Sequence, residues 1–478
     1  MKQTDGFYRA FWVQAFEPGL KTPEDIDQLL VDADEANMNA ILAQVSRRHD
    51  AYYTSDVLPF TEDPDIPSGF DPLGYLVEQA RDTDLEVHAW VVVSPLWDNV
   101  YGGPPEHPDH IYHDHGPGAP DQDTWVTHDY NGDYNEEELY LDVGHPDVQT
   151  HVVDIVKDIA GNYDVDGVHL DYIRYPENDP DDPPGWYGYN PTALTLFQEE
   201  KNRDDRPEPD DEEWLTWKVE QVSHLVQRVY TELMDVDPAK IFSASVLSWG
   251  LDDPSEHDFW ALDPVQRAHQ NWKLWIQDGY LDYVFVMNYD SEPERSERFT
   301  EWAEWQKDID RNRGIVTGPG LYLNTVSDSI AQVKRAISPS NTTGERTEGV
   351  GLYAYNAWNN DEDSTSQKEM IQSLSYPTDL NNDDPPFPNK VSPPVPTWKS
   401  EDRGHLLGKW TGNETTLSGR TVTITSSSLQ SYTATIDGNH LVVLCNLPAG
   451  DYILEIEGTT IQKPLTIQAN TMTRIMDV

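Results

Sequence analysis

A closed (β/α)8 barrel, TIM-type and α/β in class, with a small C-terminal antiparallel β-sandwich is the architecture this sequence of 478 residues predicts. Three observations lead there. Eight short apolar runs alternate with helical stretches, as parallel strands joined by crossover helices do. Several runs are apolar almost without interruption, which suits strands buried on both faces. Polar and aromatic residues gather where the runs end, and the C-terminal ends of barrel strands share one mouth.

The first strand spans Phe7 to Phe16, with Arg9 and Gln14 as polar members. Thr22-Pro23-Glu24-Asp25 starts a helix with a cap, a proline in the first turn and acids at the positive helix end. Met38 to Val45 is the second strand, with Gln44 near its end; Arg47 and Arg48 follow. At a barrel mouth such arginines bind a carboxylate or orient a catalytic acid, the alternative being an ordinary loop salt bridge. Phe70-Asp71-Pro72-Leu73 opens the next helix, and Leu85 to Pro95 is the third strand. His88 and Trp90 share a face there, so His88 is either a site residue or a satisfied core histidine.

Trp97 to Glu138 is a long insertion, read as a lid over a substrate groove. Its histidines, His107, His110, His113, His115 and His128, match no zinc-ligand spacing, and Asn131-Gly132 suits a hairpin turn better than a calcium loop. No metal or cofactor is assigned. A helix from Asp147 to Asn162 feeds the fourth strand, Asp166-Gly167-Val168-His169-Leu170-Asp171, which runs into Tyr172-Ile173-Arg174-Tyr175-Pro176. Proline ends the strand for want of an N–H. Strands five to eight follow at Ile241–Leu247, Leu281–Tyr289, Gly314–Leu323 and Gly349–Tyr355. The barrel is expected over residues 1–375, a Pro/Asp-rich linker over 376–402, and a sandwich of short strands over 403–478, the last serving as a packing or sugar-binding module.

Charge narrows the partners. Asp and Glu total 86 against 32 Lys and Arg, a formal charge of −54. Nucleic acid and anionic membrane surfaces would be repelled. Acids spread along the whole chain suit a halophilic source, where salt screens self-repulsion. No stretch is apolar enough to span a membrane. No signal peptide is visible at Met1-Lys2-Gln3, and an extracellular or cell-envelope location is expected. The single cysteine, Cys445, excludes an intramolecular disulfide.

Glycoside hydrolysis needs two carboxyl groups flanking the scissile bond. Asp171 supplies one, and Asp290 or Glu292, after the sixth strand, the other. The alternative for Asp171 is a structural ion pair with Arg174. Tyr172, Tyr289, Trp249 and Trp358 are placed to stack on sugars, and His169, Arg174 and Asn288 to hydrogen-bond hydroxyls. Arg9, Gln44, Arg47, His88, Trp97 and Tyr353 complete the expected polysaccharide contacts. The reading from a different class is a non-catalytic glycan-binding protein on the same scaffold.

Several ordered motifs carry a resemblance over residues 7 to 360. They are Arg9-Ala10-Phe11-Trp12-Val13, Gln44-Val45 leading to Asp50-Ala51-Tyr52-Tyr53-Thr54-Ser55, Gly69-Phe70-Asp71-Pro72-Leu73, Glu86-Val87-His88-Ala89-Trp90, the stretch Asp164 to Asp171, and Met287-Asn288-Tyr289. The chain resembles glycosyl-hydrolase-like family ten, β/α barrels that include bacterial hydrolases of peptidoglycan glycan strands. The resemblance implies a glycosidase barrel with the family's strand-four Asp at Asp171. Many members carry a second Asp directly after it, where this chain has Tyr172.

Overall fold

The computed structural model describes residues 6–99, 102–357, 365–410 and 417–476. Eight parallel strands close into a barrel: β1 (Tyr8–Val13), β2 (Ala40–Ser46), β3 (Glu86–Val92), β6 (Gly167–Asp171), β7 (Ile241–Leu247), β8 (Tyr283–Asn288), β9 (Gly314–Pro319) and β10 (Gly349–Tyr353), with β10 pairing back onto β1. Between β3 and β6 the chain makes a hairpin outside the barrel, β4 (Pro95–Asp98) against β5 (Glu138–Tyr140). The third run therefore stops at Val92 rather than Pro95.

The barrel interior is layered, as its strand tilt demands. Tyr8, Trp12, Trp90, Tyr283 and Phe285 fill it with aromatic volume. Gly167 is glycine because a Cβ there would meet His88 Nδ1 at 2.5 Å and the Ile241 carbonyl at 2.6 Å. The helices lay their apolar faces on the outside of the strands. Thr22 caps the first helix (Pro23–Glu35) in a reciprocal capping box with Asp25.

Residues 376–402 are not a free tether. They strap the N-terminal end of the barrel: Phe387 is buried, the Asn389 carbonyl accepts from Arg9, Trp398 Nε1 donates to Asp282 at 2.7 Å, and Lys399 pairs with Asp282 at 3.1 Å. Buried polar groups must find partners, and here a proline-rich segment supplies its carbonyls. The C-terminal strands form two sheets. One is mixed, β14 (Leu441–Pro448), β11 (Arg403–Lys409) and β17 (Met472–Met476), because β17 runs parallel to β11. The other is antiparallel: β13 (Ser431–Thr435), β12 (Thr421–Ser426), β15 (Gly450–Ile456) and β16 (Gln462–Ile467).

The insertion stands on the flank of the barrel beside the helix Pro146–Asn162, over its own apolar cluster of Leu96, Val126, Leu139, Leu141 and Val148. Histidines glue it down. His110 Nε2–H donates to the Arg48 carbonyl at 2.7 Å, and Trp125, stacked on His115 at 3.8 Å, packs against His151 of that helix at 5.5 Å. Beneath them His49 Nε2–H donates to the Val93 carbonyl at 3.0 Å, which leaves its Nδ1 to accept from His151 at 3.2 Å. That chain breaks once both rings are protonated, because N–H would then face N–H. Burial lowers the pKa of His151 and His145 to about 4, and burial together with neighbouring His151 lowers that of His49. The unfolded chain therefore takes up protons first, near pH ~6.5, and stability is lost as pH falls from there toward 4. We expect the urea midpoint to drop between pH ~7.5 and ~5, above the ordinary carboxylate range, and to drop less in His151→Gln. Equal slopes in both proteins would sink this account.

Candidate active site

Strand direction decides which predicted residues meet. All eight barrel strands are parallel, so their last residues converge and their first residues lie at the opposite end. Arg9, the second residue of β1, is at that opposite end. It stacks on Phe387 and donates to the Asn37 and Asn389 carbonyls. His88 is also low in the barrel, with Nε2 3.0 Å from Glu86. His169 fills the middle layer, its nitrogens 2.9 Å from Ser243 Oγ and 2.8 Å from Ser245 Oγ. These three are brought away from the mouth.

At the mouth lies an open cavity of about 850 Å³. Tyr172, Arg174, Trp249, Tyr289, Tyr322 and Tyr353 line it, with Glu177, Asp263, Arg267, Arg295 and Arg298 around them. Tyr289 stacks on Tyr353 with ring centroids 5.0 Å apart, and Tyr322 meets both edge-on. Arg47 stacks over Phe16 at the same end, close enough for its charge to act on Tyr172 and Tyr353. Gln44 is buried there with its carbonyl accepting from Ala15 N–H at 3.0 Å. Trp97 sits on the β4 hairpin, its indole donating to the Gly103 carbonyl. From the same hairpin Tyr140 approaches Tyr172 at 6.5 Å, so the insertion borders the mouth. Trp358 lies outside the described residues.

Asp171 ends β6 beneath this aromatic floor. It is 6 % exposed, and its charge acts on Tyr289 and Tyr353, both of which line the cavity. Oδ1 accepts from the Tyr172 N–H at 2.8 Å. Burial pushes the carboxyl above the usual carboxylate range; the Tyr172 N–H, Arg174, Trp90 and Ser245 pull the other way without cancelling it. The ion pair with Arg174 considered from the sequence does not form within 4 Å. Tyr172 itself has φ of 50°, a left-handed conformation unusual for an aromatic residue. Ser94 Oγ pins its carbonyl at 2.7 Å, and the Arg174 N–H donates to the same oxygen at 2.8 Å. Backbone strain held this tightly is concentrated at functional sites.

The two acids after β8 are placed differently. Asp290 is buried and ion-paired to Arg298 at 2.6 Å, and Arg298 also donates to the Ser248 carbonyl. Arg298 lines the cavity; Asp290 does not, and neither does Asp171, which lies behind the lining Tyr172, Tyr289 and Tyr353. Glu292 is clamped by Arg335 and Gln332 of the helix Val326–Ile337, which lowers its pKa against the upward push of burial. Asn288 is buried and accepts from Gln306 at 2.8 Å. The acids that do line the cavity are Glu177 and Asp263, both ion-paired to Arg267. Sequence reasoning passed over them. Glu177 directly follows Pro176 at the end of the strand-four motif, which was the available signal; Asp263 opens a four-residue helix, Asp263–Gln266, too short to leave a periodic signal.

The profile described as Glycosyl hydrolase-like 10 matches residues 8–363. The chain is 25% identical over 338 residues to the Bacillus subtilis glycosyl hydrolase YngK, covering 66% of this chain and 60% of that protein. It is 23% identical over 291 residues to the Escherichia coli glycosyl hydrolase DigH, covering 57% and 59% respectively. The chain thus spans about six tenths of either relative. Among solved structures, the glycoside hydrolase domain of PgaB (BpsB) from Bordetella bronchiseptica superposes with a TM-score of 0.52 at 13% identity, over 77% of this chain and 98% of that one. The catalytic domain of β-amylase from Paenibacillus polymyxa gives 0.51 at 13%, over 80% and 100%. These likenesses report the barrel fold. No helix among the described residues is long and apolar enough to cross a membrane. On the match over residues 8–363, the chain belongs to the glycosyl hydrolase-like 10 family.

Proposed function

We propose that the protein hydrolyses glycosidic bonds of a polysaccharide, an amino-sugar-containing or peptidoglycan-like glycan, with Asp171 as the proton donor. One observation carries this: a buried acid with a raised pKa ends a barrel strand under an open, aromatic-lined cavity. A general acid must hold its proton near the working pH and deliver it to the leaving oxygen. Burial shifts Asp171 in that direction, and the Tyr172, Trp249, Tyr289 and Tyr353 rings offer stacking faces for sugars. The second carboxyl comes from the acids around the cavity. Glu177 is the foremost, since it lines the cavity on the segment that leaves Asp171. Asp290 is the alternative, and would need Arg298 to move aside; Glu292 would need release from Arg335.

Incubation with a panel of bacterial and plant polysaccharides, followed by analysis of reducing ends, tests the activity. No release from any member, alongside retention on one of them, would favour a non-catalytic glycan-binding protein. Loss of activity in Glu177→Gln with rescue by azide would assign the second carboxyl; loss and rescue in Asp290→Gly instead would move it.

The acidic surface and the envelope or extracellular location belong to the same proposal. With a formal charge of −54, self-repulsion strains the compact state until salt screens it. The thermal midpoint is expected to climb steadily from low to molar potassium chloride. A flat or falling midpoint would remove the halophilic reading.

A further inference from the structure

The geometry points to a subsite for an anionic sugar substituent, a carboxylate or sulfate on the glycan, held by Arg174. This rests on the glycan-hydrolase reading and narrows its substrate. In a chain with 86 acids and 32 basic residues, an arginine at a crowded site ordinarily finds a carboxylate. Two of the cavity arginines do: Arg267 pairs with Glu177 and Asp263, and Arg298 with Asp290. Arg174 is 7 % exposed, yet among the described residues it makes no ion pair within 4 Å. Its Nε is buried with no hydrogen-bond partner. Its guanidinium carbon lies 4.5 Å from the Tyr172 ring centroid and 4.8 Å from that of Trp249, both of which line the cavity.

Desolvating a guanidinium without an anion is unfavourable, so a position that does so is waiting for one. The two rings hold the guanidinium by cation–π attraction and limit how it can turn. A planar fork held in this way matches the two oxygens of a carboxylate or sulfate, a contact a flexible lysine makes less well. The same rings border the space a sugar face would occupy, so the charge and the stacking surface address one residue of the glycan. Asp171 acts on Arg174 electrostatically but stands beyond ion-pair distance, which leaves the arginine available to a ligand.

The test measures binding apart from turnover. Wild type, Arg174→Gln and Arg174→Lys are titrated against immobilised uronate-bearing and sulfate-bearing oligosaccharides, each beside its carboxyl-reduced or desulfated twin, and reducing ends are recorded separately. Wild type is expected to bind at least one charged member about 10–100-fold more tightly than its neutral twin. Arg174→Gln should erase that difference and Arg174→Lys should keep part of it, each protein being judged by its own ratio of charged-twin to neutral-twin binding. Which twin loses binding, the carboxyl-reduced or the desulfated, identifies the anion. Equal binding of charged and neutral twins, a preference that survives in Arg174→Gln, or no binding of any charged member would overturn the proposal. Hydrolysis without charge discrimination would end this inference and leave the glycosidase reading standing. Discrimination without hydrolysis would do the reverse.

Discussion

Asp171→Asn is expected to cut turnover by about 10²–10⁴-fold, the usual contribution of a positioned general acid, while leaving the barrel folded. The amide keeps the shape of the carboxyl and its acceptor for the Tyr172 N–H. It cannot give up a proton to a leaving oxygen. The pH behaviour follows from the direction of the shift. The folded-state pKa of Asp171 is raised by burial, so the active, protonated form is lost as pH rises through that value, and turnover should fall on the alkaline side. The same sign governs stability. Asp171 favours the folded state while it remains protonated, and that contribution disappears at higher pH, where a buried charge must be held. Asn carries no such penalty, so the variant should be at least as stable as wild type at neutral pH. Full activity in Asp171→Asn would reject the role. A variant that loses both activity and its thermal transition would show that the residue holds the strand end together instead.

The second large effect is on stability. Asp290→Ala should lower unfolding free energy by about 3–5 kcal/mol, as removing one partner of a buried ion pair generally does. The carboxylate side chain is fully buried and that of Arg298 nearly so, and they meet at 2.6 Å. Truncation leaves the guanidinium with the Ser248 carbonyl as its remaining hydrogen-bond acceptor. Because Arg298 lines the cavity, the loss should also disturb the mouth. Replacing both residues with apolar ones of similar volume, Asp290→Leu with Arg298→Met, should recover most of the stability, since the desolvation penalty of both charges is then absent. Denaturant unfolding of the single and double variants measures both terms. A loss below about 1 kcal/mol for Asp290→Ala, the range of exposed pairs, would mean the pair is not isolated from water.

Much of the barrel was legible because its signals are local. An apolar run between turn residues is readable within a single window, and eight runs alternating with helices leave few ways to connect them. Asp171 was legible for the same reason, as the residue where such a run meets Tyr-x-Arg-Tyr-Pro. Arg9 and His88 carried a local signal too: each stands early in its strand, which in a parallel barrel means the end away from the mouth. Their polar character drew more notice than their place in the strand. The strap at 376–402 was not legible, because its proline-rich composition says only that it forms no regular structure. Its role depends on Arg9, 380 residues from Asn389, and Asp282, 116 residues from Trp398, both adjacent to it at the barrel floor.

The sequence by itself therefore determined the alternation of elements, the closed parallel architecture and the acid at the end of the fourth barrel strand, since each is written in hydrophobic period and strand-end chemistry. Only the tertiary structure decided which charges neutralise one another. Asp290 went to Arg298, Glu292 to Arg335, Glu177 and Asp263 to Arg267, and Arg174, with no ion pair among the described residues, to the Tyr172 and Trp249 rings. Coulomb attraction and desolvation depend on distance and burial in space, and closing the barrel is what sets both.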